Sequence, residues 1–210
     1  MILFIAGALW MSQPAPLPDP TSSAPIAASS SPATDIPPSD THSTLEAGGI
    51  RIETYENPLL GYRISYPDIY GVSEEVSDGY GTVPADIAIF SPDEERNNTN
   101  LIESLVIVGR SSEARAIATC AEEQEGESTL GSITLAGTLF MIFTHDGAAA
   151  GNRYQAIRYR TVHLSHCYEI TLLMHSGTIE NYPPGTVREF DRVMTLERLK
   201  AILYSFSFTQ

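Results

Sequence analysis

The amino-acid sequence predicts an α+β domain built on a central, mainly antiparallel and twisted sheet. Beyond residue 48 the chain consists of short apolar runs that alternate with polar residues and are cut by turn residues, a pattern typical of strands. The connections between these runs are short, and short connections favour antiparallel neighbours. Two longer segments repeat apolar residues at helical spacing, so we expect helices packed on the sheet.

The first part of the domain contains five predicted strands and a helix. The strands follow alternating or β-branched runs at 50–55, 62–66, 70–76, 86–91 and 103–109. Pro67 ends the second strand, because proline cannot donate a hydrogen bond to a ladder. The helix is predicted over 111–123, where a serine can cap the first turn and alanines recur at helical spacing.

The second part of the domain begins with strands at 129–135 and 138–144, joined by a tight turn. Residues 146–152, with the sequence DGAAAGN, are interpreted as a flexible connection. A β-hairpin follows at 154–175, and residues 164–166 form its turn. Its second arm alternates strictly, so one set of apolar side chains faces the core.

The domain ends with a helix and a short strand. Apolar residues recur at helical spacing over 186–203, which predicts one helix, or two with a second start capped at Thr195. The closing residues 204–208 read YSFSF, and their alternating aromatic residues indicate a strand with one buried face.

Two segments precede the domain, which spans 49–210. Residues 1–11 are apolar without a break but shorter than the roughly 20 residues of a membrane-spanning helix. They are typical of the remnant of a signal peptide or membrane anchor. Residues 12–48 hold eight prolines and eight serines, which predicts a disordered linker. We therefore expect an extracytoplasmic protein, secreted or tethered to the membrane through its N-terminus alone.

The charge of the chain argues against nucleic acid as a partner. The formal net charge is −14, and residues 1–48 contain four of the 26 acidic residues but none of the 12 basic ones. The domain therefore carries 22 acidic against 12 basic residues. Binding to a phosphate backbone depends on clustered cations, and this composition does not supply them.

Two short runs, one at each end of the domain, carry a resemblance to a known family. The opening run from Tyr55 to Pro67, YENPLLGYRISYP, is similar to the signature of PsbP-like domains, and LYSFSFT from Leu203 is similar to their ending. The resemblance implies a Mog1/PsbP-like α/β/α sandwich and a non-enzymatic binding or accessory role. One departure is that Asp68, Ile69 and Tyr70 stand where such domains often have a tryptophan.

The cysteines and histidines are the candidates for chemistry. In an oxidising compartment we expect Cys120 and Cys167 to form a disulfide, and in a reducing one they remain two thiols. His163, His166 and His175 lie on the predicted hairpin and are candidate metal ligands, although their spacing matches no standard zinc motif. The sequence contains no cofactor motif, so no cofactor is expected.

Three classes of function remain open, and the last is a structural envelope protein whose partner is another copy of the chain or a component of the cell wall. The first is an exported or membrane-tethered, non-enzymatic binding or accessory domain, whose partner is an unknown protein or a component of the cell envelope. The alternative is a metal-dependent or hydrolytic enzyme that uses the histidines and Cys167 of the hairpin. Adjacent residues of a strand point to opposite faces, which places His166 poorly for activating Cys167. A pocket with converging polar groups beside the hairpin would favour the enzyme.

Overall fold

The computed structural model describes residues 45–47, 49–76 and 81–209. The chain divides into two units, Met1–Pro38 and Ser39–Gln210, and every described residue belongs to the second. The predicted segment 1–11 and most of the predicted linker 12–48 lie outside the described residues. In the part that is described, no helix has the length and apolar character needed to cross a membrane.

Eleven strands and two α-helices make up the described part of the chain. Their bounds are β1 Leu45–Ala47, β2 Ile50–Asn57, β3 Tyr62–Pro67, β4 Gly71–Ser73, β5 Ala85–Phe90, β6 Leu101–Ser111, α1 Ala114–Ala118, β7 Glu127–Leu135, β8 Thr138–Ala149, β9 Asn152–His163, β10 His166–Gly177, α2 Arg192–Leu203 and β11 Ser207–Phe208. All pairings between these strands are antiparallel, which confirms the predicted α+β class.

The strands form two sheets, a division that the sequence did not predict. The wide sheet has seven strands in the order β4-β5-β6-β10-β9-β8-β7, and the small sheet has four in the order β1-β2-β3-β11. Strand β1 falls within the residues assigned to the linker and pairs with β2. The apolar core lies where β3 and α2 pack against one face of the wide sheet.

Strand β10 lies at the centre of the wide sheet and is buried on both faces. Tyr168, Ile170, Leu172 and Met174 belong to the main core, and we call the side of the wide sheet that carries them the core face. The alternate residues, from Cys167 to Leu173, are also buried, on what we call the opposite face. The prediction that one set of apolar side chains faces the core is therefore correct, but the side chains on the opposite face are buried as well.

The segment before β5 helps to cover the opposite face. The Thr82 backbone N–H donates to Glu169 Oε1 at 2.9 Å, and the Arg110 N–H donates to the Pro84 carbonyl at 3.1 Å. A Cβ added at Gly109 would lie 2.3 Å from the Pro84 oxygen. Glycine at position 109 therefore permits the close approach of this segment to β6.

Three two-residue turns join the last four strands of the wide sheet. The turn residues have positive φ at Ala136 and Gly137, Ala150 and Gly151, and Leu164 and Ser165, as type I′ hairpin turns require. The interpretation of 146–152 as a flexible connection is wrong, because β8 continues to Ala149 and pairs with β9 up to the turn. The run of small residues suggested a loop, but Ala150 and Gly151 form a tight turn between two paired strands.

Both helices are shorter than the sequence predicts. Strand β6 extends through Ser111, which pairs with Cys167, so α1 begins only at Ala114. Its five residues are too few for a self-supporting helix and depend on packing. Helix α2 is a single helix capped by Asp191, whose side chain accepts from the Met194 N–H at 2.9 Å. The alternative second start at Thr195 is wrong for this reason.

The predicted disulfide between Cys120 and Cys167 is present. Its Cα atoms are 5.6 Å apart, and it links the turn after α1 to the first residues of β10. Both residues are buried. Disulfides of this kind persist in oxidising compartments and are rare in the cytosol, so the bond indicates an extracytoplasmic location.

Removing the disulfide tests its contribution to stability. The bond closes a loop with a sequence separation of 47 residues, and a loop of this length is worth about 4 kcal/mol in the chain-entropy model. We expect the C120S/C167S variant to lose that amount in urea unfolding. Treatment with a reductant should destabilise the parent protein to the same extent and leave the variant unchanged. A variant as stable as its parent would contradict this.

Candidate functional site

An apolar groove of about 900 Å³ lies between the small sheet, α2 and the 3-10 helix Asp93–Glu95. Strand β2 contributes Ile50 and Ile52, which share one face because side chains alternate along a strand. Helix α2 contributes Arg198, Ala201 and Ile202, which share one stripe at helical spacing. The groove therefore forms at the edge of the core, where one face of a strand and one stripe of a helix lie next to each other.

The wall of the groove exposes apolar surface to solvent. Ile50 is 46% and Ile69 is 54% exposed, and both side chains line it. The remaining apolar and aromatic lining residues include Ile52, Tyr66, Pro67, Tyr70, Pro92 and Ala201. Ligand pockets of 300–1,000 Å³ with mostly apolar walls are the usual form of small-molecule sites, and this groove falls in that range.

The groove has one strongly polar end. Glu95 lies there with its side chain only 9% exposed, and its Oε1 accepts from the Tyr70 hydroxyl at 3.0 Å. Arg198 Nη1 forms an ion pair with the same oxygen at 3.0 Å. Burial raises the pKa of Tyr70 above its usual range, and the charge of Glu95 adds to this. The hydroxyl therefore stays a donor at all ordinary pH values.

The two serines of the groove serve the fold. The Ser205 hydroxyl shares its one proton between two carbonyl oxygens, that of Ser65 at 2.9 Å and that of Ile202 at 2.6 Å. The Ser65 hydroxyl shares a hydrogen bond with Thr54 at 2.8 Å. These bonds join α2 to β3 and β3 to β2, so they fix the groove walls relative to one another.

A buried ion-pair network occupies the opposite face of the wide sheet. Glu127 accepts from Arg158 Nη1 at 2.8 Å through Oε1 and from Arg160 Nη2 through Oε2. Arg160 Nε lies 3.8 Å from Glu169 Oε2, and its guanidinium carbon lies 3.9 Å from the centre of the Phe143 ring. Arg160 is 1% exposed. Strands β7, β8, β9 and β10 therefore meet in one charged cluster.

The arginines keep the central carboxylate of this network charged. Burial alone would raise the pKa of Glu127, but the Gln124 N–H and the two guanidinium groups hold it below its usual value. The second carboxylate, Glu169, is satisfied by Thr82, whose hydroxyl donates to Oε2 at 2.6 Å. The positive charges of the two arginines balance the negative charges of the two carboxylates. We therefore interpret the network as one that stabilises the fold.

Neutralising Glu127 should expose how much the fold depends on this network. In E127Q both arginines remain buried with one carboxylate between them, and breaking a buried pair costs about 3–5 kcal/mol. We expect that loss in the free energy of unfolding measured with urea. E125Q is the matched control, because Glu125 is an exposed carboxylate two residues away. Equal stability of the two variants would contradict a structural role.

A separate titratable group lies at the bulge of β5. Asp86 stands where the register between β5 and β6 shifts, and its Oδ2 has no hydrogen-bond partner among the described residues. Burial raises its pKa from 3.8 to about 6, and the charge of Arg110 opposes the shift. The buried Tyr62 hydroxyl also has its pKa raised, first by burial and then by the charge of Asp86.

The Asp86 carboxyl makes stability fall as pH rises from about 4 to about 6. In this window the unfolded chain has lost the proton that the folded state still holds. After discounting for partial exposure, the effect is about 1–2 kcal/mol. We therefore expect the free energy of unfolding of D86N, relative to that of its parent, to rise by about 1–2 kcal/mol between pH 3.5 and pH 7.5, as measured with urea. A difference between the two proteins that stays constant with pH would contradict this.

The three candidate metal ligands do not converge. His163 and His166 are cross-strand partners at the hairpin turn, and the ring of His163 stacks on Phe208 with centres 3.8 Å apart. His175 is nine residues further along β10, which corresponds to about 30 Å of strand. There it stacks on Tyr154 at 4.3 Å and lies 3.3 Å from Glu103 Oε1. Among the described residues, no group of three or more His, Cys, Asp or Glu side chains could hold a metal ion.

The hairpin also offers no free thiol. Cys167 is half of the disulfide, so its sulfur is not available as a thiolate nucleophile. A smaller cavity of about 260 Å³ borders the disulfide, Arg115 and Arg160, and its buried arginine is engaged in the ion-pair network. The candidates named from the sequence therefore belong to packing, and the groove is a site that the sequence did not indicate.

Comparison with known proteins gives no family for this chain. No protein-family model and no curated protein matches it. A structure from Bacteroides thetaiotaomicron VPI-5482 is similar at 12% identity and a TM-score of 0.44. The match covers 75% of this chain and 48% of that one, so this chain spans about half the length of that protein.

LpqN of Mycobacterium tuberculosis, a protein involved in cell envelope biogenesis, is similar at 10% identity and a TM-score of 0.41. That match covers 80% of this chain and 91% of LpqN. Likenesses of this strength carry no argument about function. The class of protein is thus defined by its own structure, an α+β domain with a disulfide and an apolar groove, and the PsbP-like resemblance stays a prediction.

Proposed function

We propose that this protein is an exported, non-enzymatic binding module that holds an apolar ligand in the groove between the small sheet and α2. The observation that carries the proposal is the groove itself, with about 900 Å³ of volume and half-exposed isoleucines on its wall. Contiguous apolar surface open to solvent is costly unless a ligand or partner covers it. Its size suits one small elongated molecule.

The location outside the cytoplasm is supported by two independent features. The first is the disulfide, which fits an oxidising compartment. The second is the apolar stretch 1–11 followed by the Pro- and Ser-rich stretch 12–48, which fits a tether that holds a domain away from a membrane. A module in that position meets envelope lipids and proteins, and its ligand or partner is expected among them.

Blocking the groove tests the proposal. Ala201 is an exposed alanine on the groove stripe of α2, so A201W places an indole inside the groove with little effect on the core. We expect the neutral fluorophore N-phenyl-1-naphthylamine to bind the parent protein with blue-shifted, enhanced emission. In A201W its affinity should fall at least tenfold, because the added side chain occupies the same volume.

The matched control is V193W on the same helix. Val193 is 72% exposed and does not line the groove, so this variant adds an equal apolar surface elsewhere. Its affinity for the fluorophore should equal that of the parent. Equal binding by A201W and the parent, or no binding by the parent, would refute the groove as a ligand site.

A further inference from the structure

Glu95 at the polar end of the groove uses only half of its hydrogen-bonding capacity. Tyr70 and Arg198 both contact Oε1 at 3.0 Å, whereas Oε2 is buried and has no hydrogen-bond partner among the described residues. A buried carboxylate oxygen without a donor is costly. The carboxylate can therefore accept a further hydrogen bond, and the groove that Glu95 lines gives a donor a route to it.

The charge around the groove favours a cation over an anion. Its charged lining residues are Glu94, Glu95 and Arg198, with a net charge of −1. The groove adjoins a depression of about 420 Å³, which shares Ile69, Pro92 and Glu94 with it. That depression adds the carboxylates of Asp93 and Glu103 and the cation of Arg96. Two carboxylates against one guanidinium make this end of the groove more negative still.

From these contacts we propose that the groove binds a cationic amphiphile, a small molecule with an extended apolar chain and a protonated amine that Glu95 binds. This inference rests on the proposed function and specifies the class of its ligand. The apolar chain lies along Ile52, Ile69 and Ala201, and the ammonium group meets the carboxylate. An ammonium has three donors and can donate to this carboxylate in place of the guanidinium of Arg198.

Arg198 occupies the place that the ammonium takes. Its guanidinium contacts Glu95 through Nη1 alone, while Nη2 lies 3.3 Å from Met194 Sδ. The side chain is 45% exposed, so it can swing into solvent without unpacking the core. The ligand amine and Arg198 are therefore competitors for one carboxylate, and removing the arginine should strengthen amine binding.

Three ligands with the same ten-carbon chain test the inference at pH 7. Decylamine is cationic, decanol neutral and decanoate anionic. Each displaces N-phenyl-1-naphthylamine if it binds the groove, at concentrations below its micelle concentration or, for decanol, its solubility limit. We expect decylamine to bind about tenfold more tightly than decanol, and decanoate more weakly than decanol. E95Q should bind decylamine no more tightly than decanol, and R198A should bind decylamine more tightly than the parent does.

E197Q is the control, because Glu197 is a carboxylate on α2 next to Arg198 in sequence that does not line the groove. Glu197 is 62% exposed and pairs with Lys200, so this variant should keep the preference for decylamine. Binding of decanol by E95Q shows that its groove is intact, which separates loss of the head-group contact from unfolding.

The outcomes separate the two proposals. If all three ligands bind the parent equally, or E95Q keeps the preference for decylamine, the inference about the amine is overturned and the apolar site stands. If decanoate binds most tightly, Arg198 is the recognition residue and the inference is likewise overturned. If neither the fluorophore nor any of the three ligands binds, both proposals fall.

Discussion

The buried ion pairs among Glu127, Arg158, Arg160 and Glu169 are the constraint on which the rest of this structure depends. Three strands of the wide sheet, β7, β9 and β10, bring these side chains together on the opposite face, where Thr82 and the disulfide lie beside them. Charges of this kind tolerate burial only when every partner is in place. The network therefore fixes the order and register of the strands, and it leaves the core face free for apolar packing.

The groove is a consequence of how that core face is covered. Helix α2 and the small sheet both pack on it, and hydrogen bonds from Ser205 hold them together at one end. Beyond that contact they diverge, so Ile50 and Ile69 stay half exposed above the core. Glu95 and Arg198 close the polar end. A groove with rigid walls and a single polar end is a binding site that is already formed in the absence of its ligand.

The sequence predicted the elements better than it predicted their assembly. Period-two alternation located most of the strands, and the two cysteines were correctly paired, because both signals are local or depend on few residues. The division into two sheets was missed, since alternation does not say which strands share a sheet. The groove was also missed, because its residues come from four separate segments and no local pattern shows that these segments meet. The burial of Arg160 was missed as well, since only its strand neighbours show that it is buried.

The central claim is that the groove binds the ligand, and backbone amide chemical shifts test it most directly. Decanol, which is neutral, is titrated into isotopically labelled protein, and each shift is assigned to its residue. The account predicts that the changes cluster at residues 65–70, 92–95 and 198–205, which surround the groove. Changes centred on the hairpin turn at 164–165, or scattered evenly over the domain, would contradict it.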